Sequence, residues 1–112
     1  MRKTVKTNLT RLGLAAGVVV APALVAPAAE AATVGQWDQV AACESGGDWH
    51  INTGNGYQGG LQFSAQTWAG HGGTQYAPTA DQATKAQQIE IAEKVLASQG
   101  AGAWPNCGGP VA

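Results

Sequence analysis

Ala41-Ala42-Cys43-Glu44-Ser45-Gly46-Gly47-Asp48-Trp49 is the stretch on which the fold turns. Counting back from Glu44, apolar residues stand at Ala41, Val40 and Trp37, the spacing of one helical face. Glu44 therefore closes a helix on the face meant for the core. Gly46-Gly47 breaks the chain directly after it, which leaves the carboxyl at the rim of the core. A carboxyl partly withdrawn from water resists ionisation, so its pKa rises. A general acid working near neutral pH needs that property. The competing reading is a solvated glutamate in a last helical turn, and position alone does not separate the two.

Upstream, Arg2, Lys3, Lys6 and Arg11 precede and begin an apolar run from Leu12 to Ala26, and Ala29-Glu30-Ala31 follows. A basic start, an apolar middle and an Ala-x-Ala site predict a secretory signal peptide over residues 1–31, cleaved after Ala31. A membrane anchor is the alternative, but the run is short, Ala-rich, broken by Pro22 and followed at once by Pro27. The remainder, residues 32–112, is expected to form one small exported domain. Its charges are Lys85 and Lys94 against Asp38, Glu44, Asp48, Asp81, Glu90 and Glu93. Two cations against six carboxylates leave no basic patch, which argues against nucleic acid or an anionic membrane surface as partner.

Cys43 and Cys107 are the only cysteines, and both lie in the exported part. A disulfide between them is the expectation outside the cell. Closing a loop of about 64 residues is worth roughly 4 kcal/mol in the chain-entropy model, and a domain this small has a thin core that needs it. The bond would also tie the end of Glu44's helix to the C-terminal segment. His50 and His71 have no paired-ligand spacing with the cysteines, so neither a metal nor another cofactor is expected, and both are read as surface-loop residues.

Within the domain, Thr33-Val34-Gly35-Gln36 matches a capping box, and a first helix is predicted from Gly35 to Glu44. Glycine and asparagine crowd residues 45–60. Asn55-Gly56 there is a hairpin-turn signal between Ile51 and Tyr57, and so much glycine lets backbone approach a ligand closely. Ser64 reads as the N-cap of a short helix, Ala65 to Ala69, that holds Thr67 and Trp68. Thr79 with Gln82, and Thr84 with Gln87, repeat the capping-box pattern. The second introduces a long helix from Lys85 to Ser98 that Gly100 ends, with Glu90 and Lys94 as an i,i+4 pair on its wet side. With Ile89 as zero, Leu96 falls at about 340°, Ala92 at about 300°, Val95 at about 240° and Ile91 at about 200°. Gln99 at about 280° and Gln88 at about 260° lie inside that stripe. A buried amide must be hydrogen-bonded: either the core satisfies these two, or they line a polar slot, with Gln99 the better candidate.

Aromatics, amides and one placed carboxyl suit a sugar site, since apolar sugar faces stack on rings and hydroxyls bond to amides. The chain also resembles the resuscitation-promoting factor family, the transglycosylase-like, lysozyme-like wall enzymes of actinobacteria. The resemblance rests on Trp37-Asp38, Val40-Ala41, Cys43-Glu44-Ser45-Gly46-Gly47, Trp49, Ile51 to Tyr57 and Gly59-Gly60-Leu61-Gln62-Phe63. It continues through Thr67-Trp68, Gly72-Gly73, Tyr76-Ala77-Pro78, Gln88-Ile89, Ala92-Glu93, Ala103-Trp104-Pro105 and Cys107, spanning residues 36–107. It implies an α+β, mainly α, small lysozyme-like domain with a short β-hairpin and one disulfide. It implies Glu44 as catalytic acid, the Cys43–Cys107 bond, and Thr67 and Gln99 as residues of a glycan cleft; without it Thr67 reads as an exposed helix threonine. Tyr57, Gln62, Trp68 and Asp48 complete the expected substrate-binding set. One departure is visible: where the family often has adjacent tyrosines, Tyr57 is followed by Gln58, so one stacking surface is missing.

The carboxylate count bears on mechanism. Asp38, six residues before Glu44, lies about 240° round the same helix and points away. Asp48 can reach the cleft, but no carboxyl is evident on the opposite wall, so the two-carboxyl arrangements of retaining and inverting glycosidases fit poorly. A one-carboxyl route is expected, in which Glu44 protonates the bridging oxygen of a MurNAc–GlcNAc β-1,4 bond and then activates the MurNAc 6-hydroxyl or water. The expected partner is peptidoglycan glycan, a second wall hydrolase is a candidate partner, and the domain is expected to be a secreted monomer without a wall-binding module. The rival from another class is a secreted glycan-binding or signalling module, which needs no acid beside the core. A disulfide-stapled toxin is a weaker rival: one bridge, no basic face.

Overall fold

The computed structural model describes residues 31–112, so the expected signal peptide, apart from Ala31, lies outside the described residues. Helix α1 spans Val34–Ser45. Thr33 caps it: its side chain accepts from the Gln36 N–H while the Gln36 side chain accepts from the Thr33 N–H, so the expected capping box is present. The helix stops at Gly46, whose φ of 67° is left-handed and whose N–H closes back on the last turn. A side chain would be strained there. Trp37, Val40 and Ala41 are its buried face.

The hairpin differs from expectation. Strands β1 (Tyr57–Gln58) and β2 (Phe63–Ser64) pair antiparallel, Tyr57 opposite Ser64 and Gln58 opposite Phe63. The turn is therefore Gly59 to Gln62, not Asn55-Gly56, and Ile51 is outside the ladder. The physical reason is local: the Asn55 side chain accepts from the Tyr57 N–H at 3.0 Å, spending the turn-forming asparagine before the strand begins. The Ile51 carbonyl instead accepts from the Gly59 N–H at 2.9 Å.

Helix α2 spans Ala65–Gly70, capped by Ser64 as expected. Helix α3 spans Lys85–Gln99, with a capping box at Thr84 and Gln87 and its stop at Gly100, φ 75°. The Thr79 pattern does not cap: its hydroxyl donates to Asp81 at 2.6 Å, and Ala80–Gln82 is a 3₁₀ turn. The Glu90–Lys94 pair does not form either; Glu90 instead accepts the Tyr76 hydroxyl at 2.6 Å. Among the described residues the salt bridge is Lys85–Asp38, at 2.6 Å. His71 is not a free loop residue: it is half-buried and bridges the Thr67 carbonyl and the Ser98 hydroxyl, tying α2 to α3. His50 is exposed, with Nδ1 2.9 Å from the Asp81 carbonyl. No helix among the described residues is long and apolar enough to cross a membrane.

The core joins Trp37, Val40 and Ala41 of α1 to Leu61, Phe63, Trp68, Ile91, Ala92, Val95 and Trp104. Rings run through it in sequence: Trp37 to Trp104 at 5.1 Å and Trp104 to Phe63 at 6.4 Å meet edge to face, and Phe63 meets Trp68 tilted at 5.4 Å. The indole N–H groups are used, Trp37 to Glu93, Trp68 to the Ala77 carbonyl and Trp104 to the Leu61 carbonyl. At the centre lies the amide of Gln88, fully buried. Its oxygen accepts from the Gly60 N–H at 3.0 Å, and its nitrogen donates to the Trp49 and Ala83 carbonyls at 2.7 and 3.1 Å. The core thus satisfies Gln88 and, through it, fastens the glycine-rich segment to α3. Gly60 is obligatory at that crossing, since a Cβ would lie 2.5 Å from the Trp49 ring. The Cys43–Cys107 disulfide is present, with Cα atoms 5.7 Å apart, and closes the tail onto α1.

Candidate active site

Glu44 stands in the last turn of α1, one residue from the disulfide and two from the Gly46 stop. Its neighbour Ser45 fixes that turn: the hydroxyl lies 3.0 Å from the Ala41 carbonyl and 2.9 Å from the Gly60 carbonyl, linking helix to glycine-rich segment. The disulfide brings Asn106 and Pro105 to the same corner. A cavity of about 570 Å³ results, lined by Glu44, Asn55, Tyr57, Gln62, Gly102, Ala103, Trp104, Pro105 and Asn106. A smaller cavity of about 80 Å³ shares Tyr57, Gln62, Ala103 and Trp104 with it and adds Phe63, Ser64, Thr67, Val95 and Gln99. The shared residues make the two cavities adjoining parts of one groove.

Glu44 is half-buried, and burial pushes its carboxyl above the usual carboxylate range. Among the described residues no group donates a hydrogen bond to it, so nothing offsets the lost water. It is also the lone carboxylate on either cavity wall among the described residues. Asp38 is held by Lys85 on the outer surface. Asp48 is exposed, is absent from both walls, and accepts from the His50 N–H at 3.0 Å. That places it as a turn residue rather than the cleft residue expected.

Tyr57 is half exposed and faces both cavities, a ring available for stacking. Gln62 also lines both. Its φ of 57° is the single left-handed value among the described non-glycine residues, a position that costs a side-chain-bearing residue energy. Its amide nitrogen donates to the Gly59 carbonyl at 3.1 Å and its oxygen accepts from Asn55 at 3.3 Å. The Asn55–Gln62 clamp thus holds one groove wall. Thr67 lines the smaller cavity and accepts the Ser64 hydroxyl at 3.0 Å, which leaves its own hydroxyl proton to donate. Gln99, exposed at the end of α3, lines the same cavity. Trp68, expected at the cleft, is fully buried with its N–H spent on Ala77, and lines neither cavity. Its large apolar ring is core, and it supports the groove from beneath through Phe63.

Asn55, Asn106, Pro105 and Trp104 line the groove but were not among the expected site residues. A signal existed for Asn106, which precedes the cysteine tied to Glu44's neighbour. None existed for Asn55 beyond its place in a turn-rich segment. No cluster of three or more His, Cys, Asp or Glu among the described residues could hold a metal ion.

A family model described as a transglycosylase-like domain matches residues 31–107. The chain is 56% identical over 110 residues to resuscitation-promoting factor RpfA of Mycobacterium tuberculosis, covering 96% of this chain and 27% of that protein. It is 54% identical over 109 residues to resuscitation-promoting factor Rpf1 of Corynebacterium glutamicum, covering 95% of this chain and 56% of that one. Against resuscitation-promoting factor RpfC of Mycobacterium tuberculosis the identity is 50% over 101 residues, covering 89% and 70%. The chain therefore spans only part of the length of these relatives. It belongs to the transglycosylase-like family of the resuscitation-promoting factors.

Proposed function

We propose, with membership of the transglycosylase-like family as premise, that this protein is an exported enzyme that cleaves peptidoglycan and so promotes resuscitation and growth. The observation that carries the reading is a half-buried carboxyl that, among the described residues, has no hydrogen-bond donor and is alone of its kind on a groove walled by a tyrosine ring and amides. A glycan strand lies along the groove, with sugar faces on Tyr57 and hydroxyls and acetamides on Thr67, Gln99 and the asparagines. The bond cut is the β-1,4 linkage between MurNAc and GlcNAc. Glu44, whose carboxyl burial pushes above the usual carboxylate range, acts in its protonated form and gives its proton to the bridging oxygen as the C1–O4 bond breaks. As a carboxylate it then takes a proton from the attacking hydroxyl. If that is the MurNAc 6-hydroxyl the product is a 1,6-anhydro sugar; if water, a reducing end. Gln62 enters as a wall-forming residue, and Trp68 and Asp48 act only through the fold. Removal of the leader at Ala31 delivers the domain to the cell wall.

The test is mass spectrometry of the soluble products from purified peptidoglycan, with Glu44→Gln beside the parent. Anhydro-muropeptides from the parent alone establish a lytic transglycosylase, and reducing ends a hydrolase. Full cleavage by Glu44→Gln removes Glu44 from the role. Binding without products from either protein moves the chain to the class of glycan-binding modules.

A further inference from the structure

Glu93 has a role that the groove does not use. It sits on α3, half-buried, at the opposite end of α1 from Glu44. Its Oε2 accepts the Trp37 indole N–H at 2.8 Å. The Ala32 backbone nitrogen lies 3.1 Å from Oε2 and 3.4 Å from Oε1, so both carboxylate oxygens face one nitrogen. Ala32 is itself partly buried against the core. Two carboxylate oxygens straddling one N–H is more acceptor than a neutral amide needs, and it matches a site for a cation with several protons. Ala32 is also the residue that follows the Ala29-Glu30-Ala31 processing signal.

We propose that Glu93 is the receptor for the α-ammonium group of Ala32, created when the leader is removed, and that this ion pair completes the mature fold. The inference rests on the exported-protein reading but not on any glycan chemistry. The step is hydrolysis of the Ala31–Ala32 peptide bond by a leader-removing protease. One water adds across the bond, Ala31 leaves with the carboxylate, and the Ala32 nitrogen takes up the proton released. A neutral donor thereby becomes a full charge at the carboxylate, where partial burial weakens solvent screening. The other charged side chains of α1 and α3 are engaged or face elsewhere. Asp38 pairs with Lys85, Glu90 with Tyr76, Glu44 lines the groove, and the Lys94 ammonium lies toward Gly72. Because Glu93 also holds the buried Trp37, the pair fastens the first turn of α1 to α3. Before cleavage the same nitrogen is an amide, so the chain folds less stably while the leader is attached.

The experiment compares the mature chain beginning at Ala32, the same chain preceded by Ala31, and the Ala32 chain acetylated at its N-terminus, each with and without Glu93→Gln. With Glu93 present, the free-amine chain melts about 4–8 °C above both blocked forms. In Glu93→Gln the three forms melt together. Equal melting of free and blocked forms with Glu93 present overturns the proposal, as does a difference that survives Glu93→Gln. If Glu93→Gln fails to fold, acetylation of the parent alone decides, since it removes the charge and keeps the N–H. Intact mass of the exported protein reads the processing site, and a first residue other than Ala32 overturns the assignment. Neither readout depends on glycan cleavage, so failure here is separable from failure of the enzymatic reading.

Discussion

Two polar groups stand at opposite extremes of satisfaction in this small domain. Gln88 is fully buried, and both ends of its amide are engaged by backbone groups. Glu44 is only half-buried, yet among the described residues nothing donates to it. The saturated group has no capacity left for a ligand, so its work is structural: it holds the groove's glycine-rich segment in register with α3. The unsaturated group gains nothing for the fold from its partial burial and is destabilised as an anion. It is therefore free to exchange a proton with something outside the protein. A buried polar residue that is satisfied and a half-buried one that is not call for opposite experiments.

The largest effect expected is on cleavage. Glu44→Gln should lower the rate of peptidoglycan cleavage about 10²–10⁴-fold, the range for a positioned acid, while its melting temperature equals or exceeds the parent's. A stability loss matching the activity loss would erase the contrast with Gln88. Breaking the disulfide, by Cys43→Ser with Cys107→Ser, should cost roughly 4 kcal/mol in the chain-entropy model, read by urea unfolding. Cleavage measured below the new melting transition should also fall, because Asn106 and the tail no longer hold the Glu44 corner. Gln88→Leu leaves the Gly60 N–H and the Trp49 and Ala83 carbonyls without partners, and each buried orphan costs about 1–3 kcal/mol. A loss of about 3 kcal/mol or more in chemical denaturation is expected. A neutral result would mean that the glycine-rich segment is held without the amide.

Smaller effects sharpen the same line. Gln62→Gly removes left-handed strain worth about 1 kcal/mol but also the clamp to Asn55, so stability should hold while KM for glycan rises severalfold. An unchanged KM would take Gln62 out of the groove wall. The pH dependence follows from Glu44, whose folded pKa is raised above its unfolded value. Below the unfolded value Glu44 is neutral in both states and costs the fold nothing as an anion; as pH rises through the folded value the desolvated anion is imposed and stability falls. Cleavage that needs the protonated acid should fall over that same upper limb. Titration of melting temperature should show the decline in the parent and not in Glu44→Gln.

Much of this was legible from residue spacing. Trp37, Val40, Ala41 and Glu44 mark one helical face, and Gly46 marks its end, because helix period and left-handed stops are local properties. The capping boxes at Thr33 and Thr84 follow for the same reason. Thr79 carries the same pattern and fails, since Asp81 competes for its hydroxyl over a shorter range. The hairpin was misplaced because Asn55-Gly56 is a turn signal by itself, and only the bond from Tyr57 to the Asn55 side chain shows that turn closing before the strand. Trp68 illustrates another limit. An aromatic beside a groove residue reads equally as platform or as core, and only its bond to Ala77 assigns it to the core.

The sequence by itself determined the helices, the cysteine pair and the placement of one carboxyl at the rim of a core, because these depend on neighbours within a turn or two or on there being just two cysteines. The tertiary structure alone decided which polar groups are satisfied. Gln88 meets Gly60 and Trp49, Glu93 meets Ala32 and Trp37, and Glu44 meets no donor among the described residues. Those outcomes depend on which distant backbone groups arrive at each side chain, and side-chain spacing carries no information about that until the chain has closed on itself.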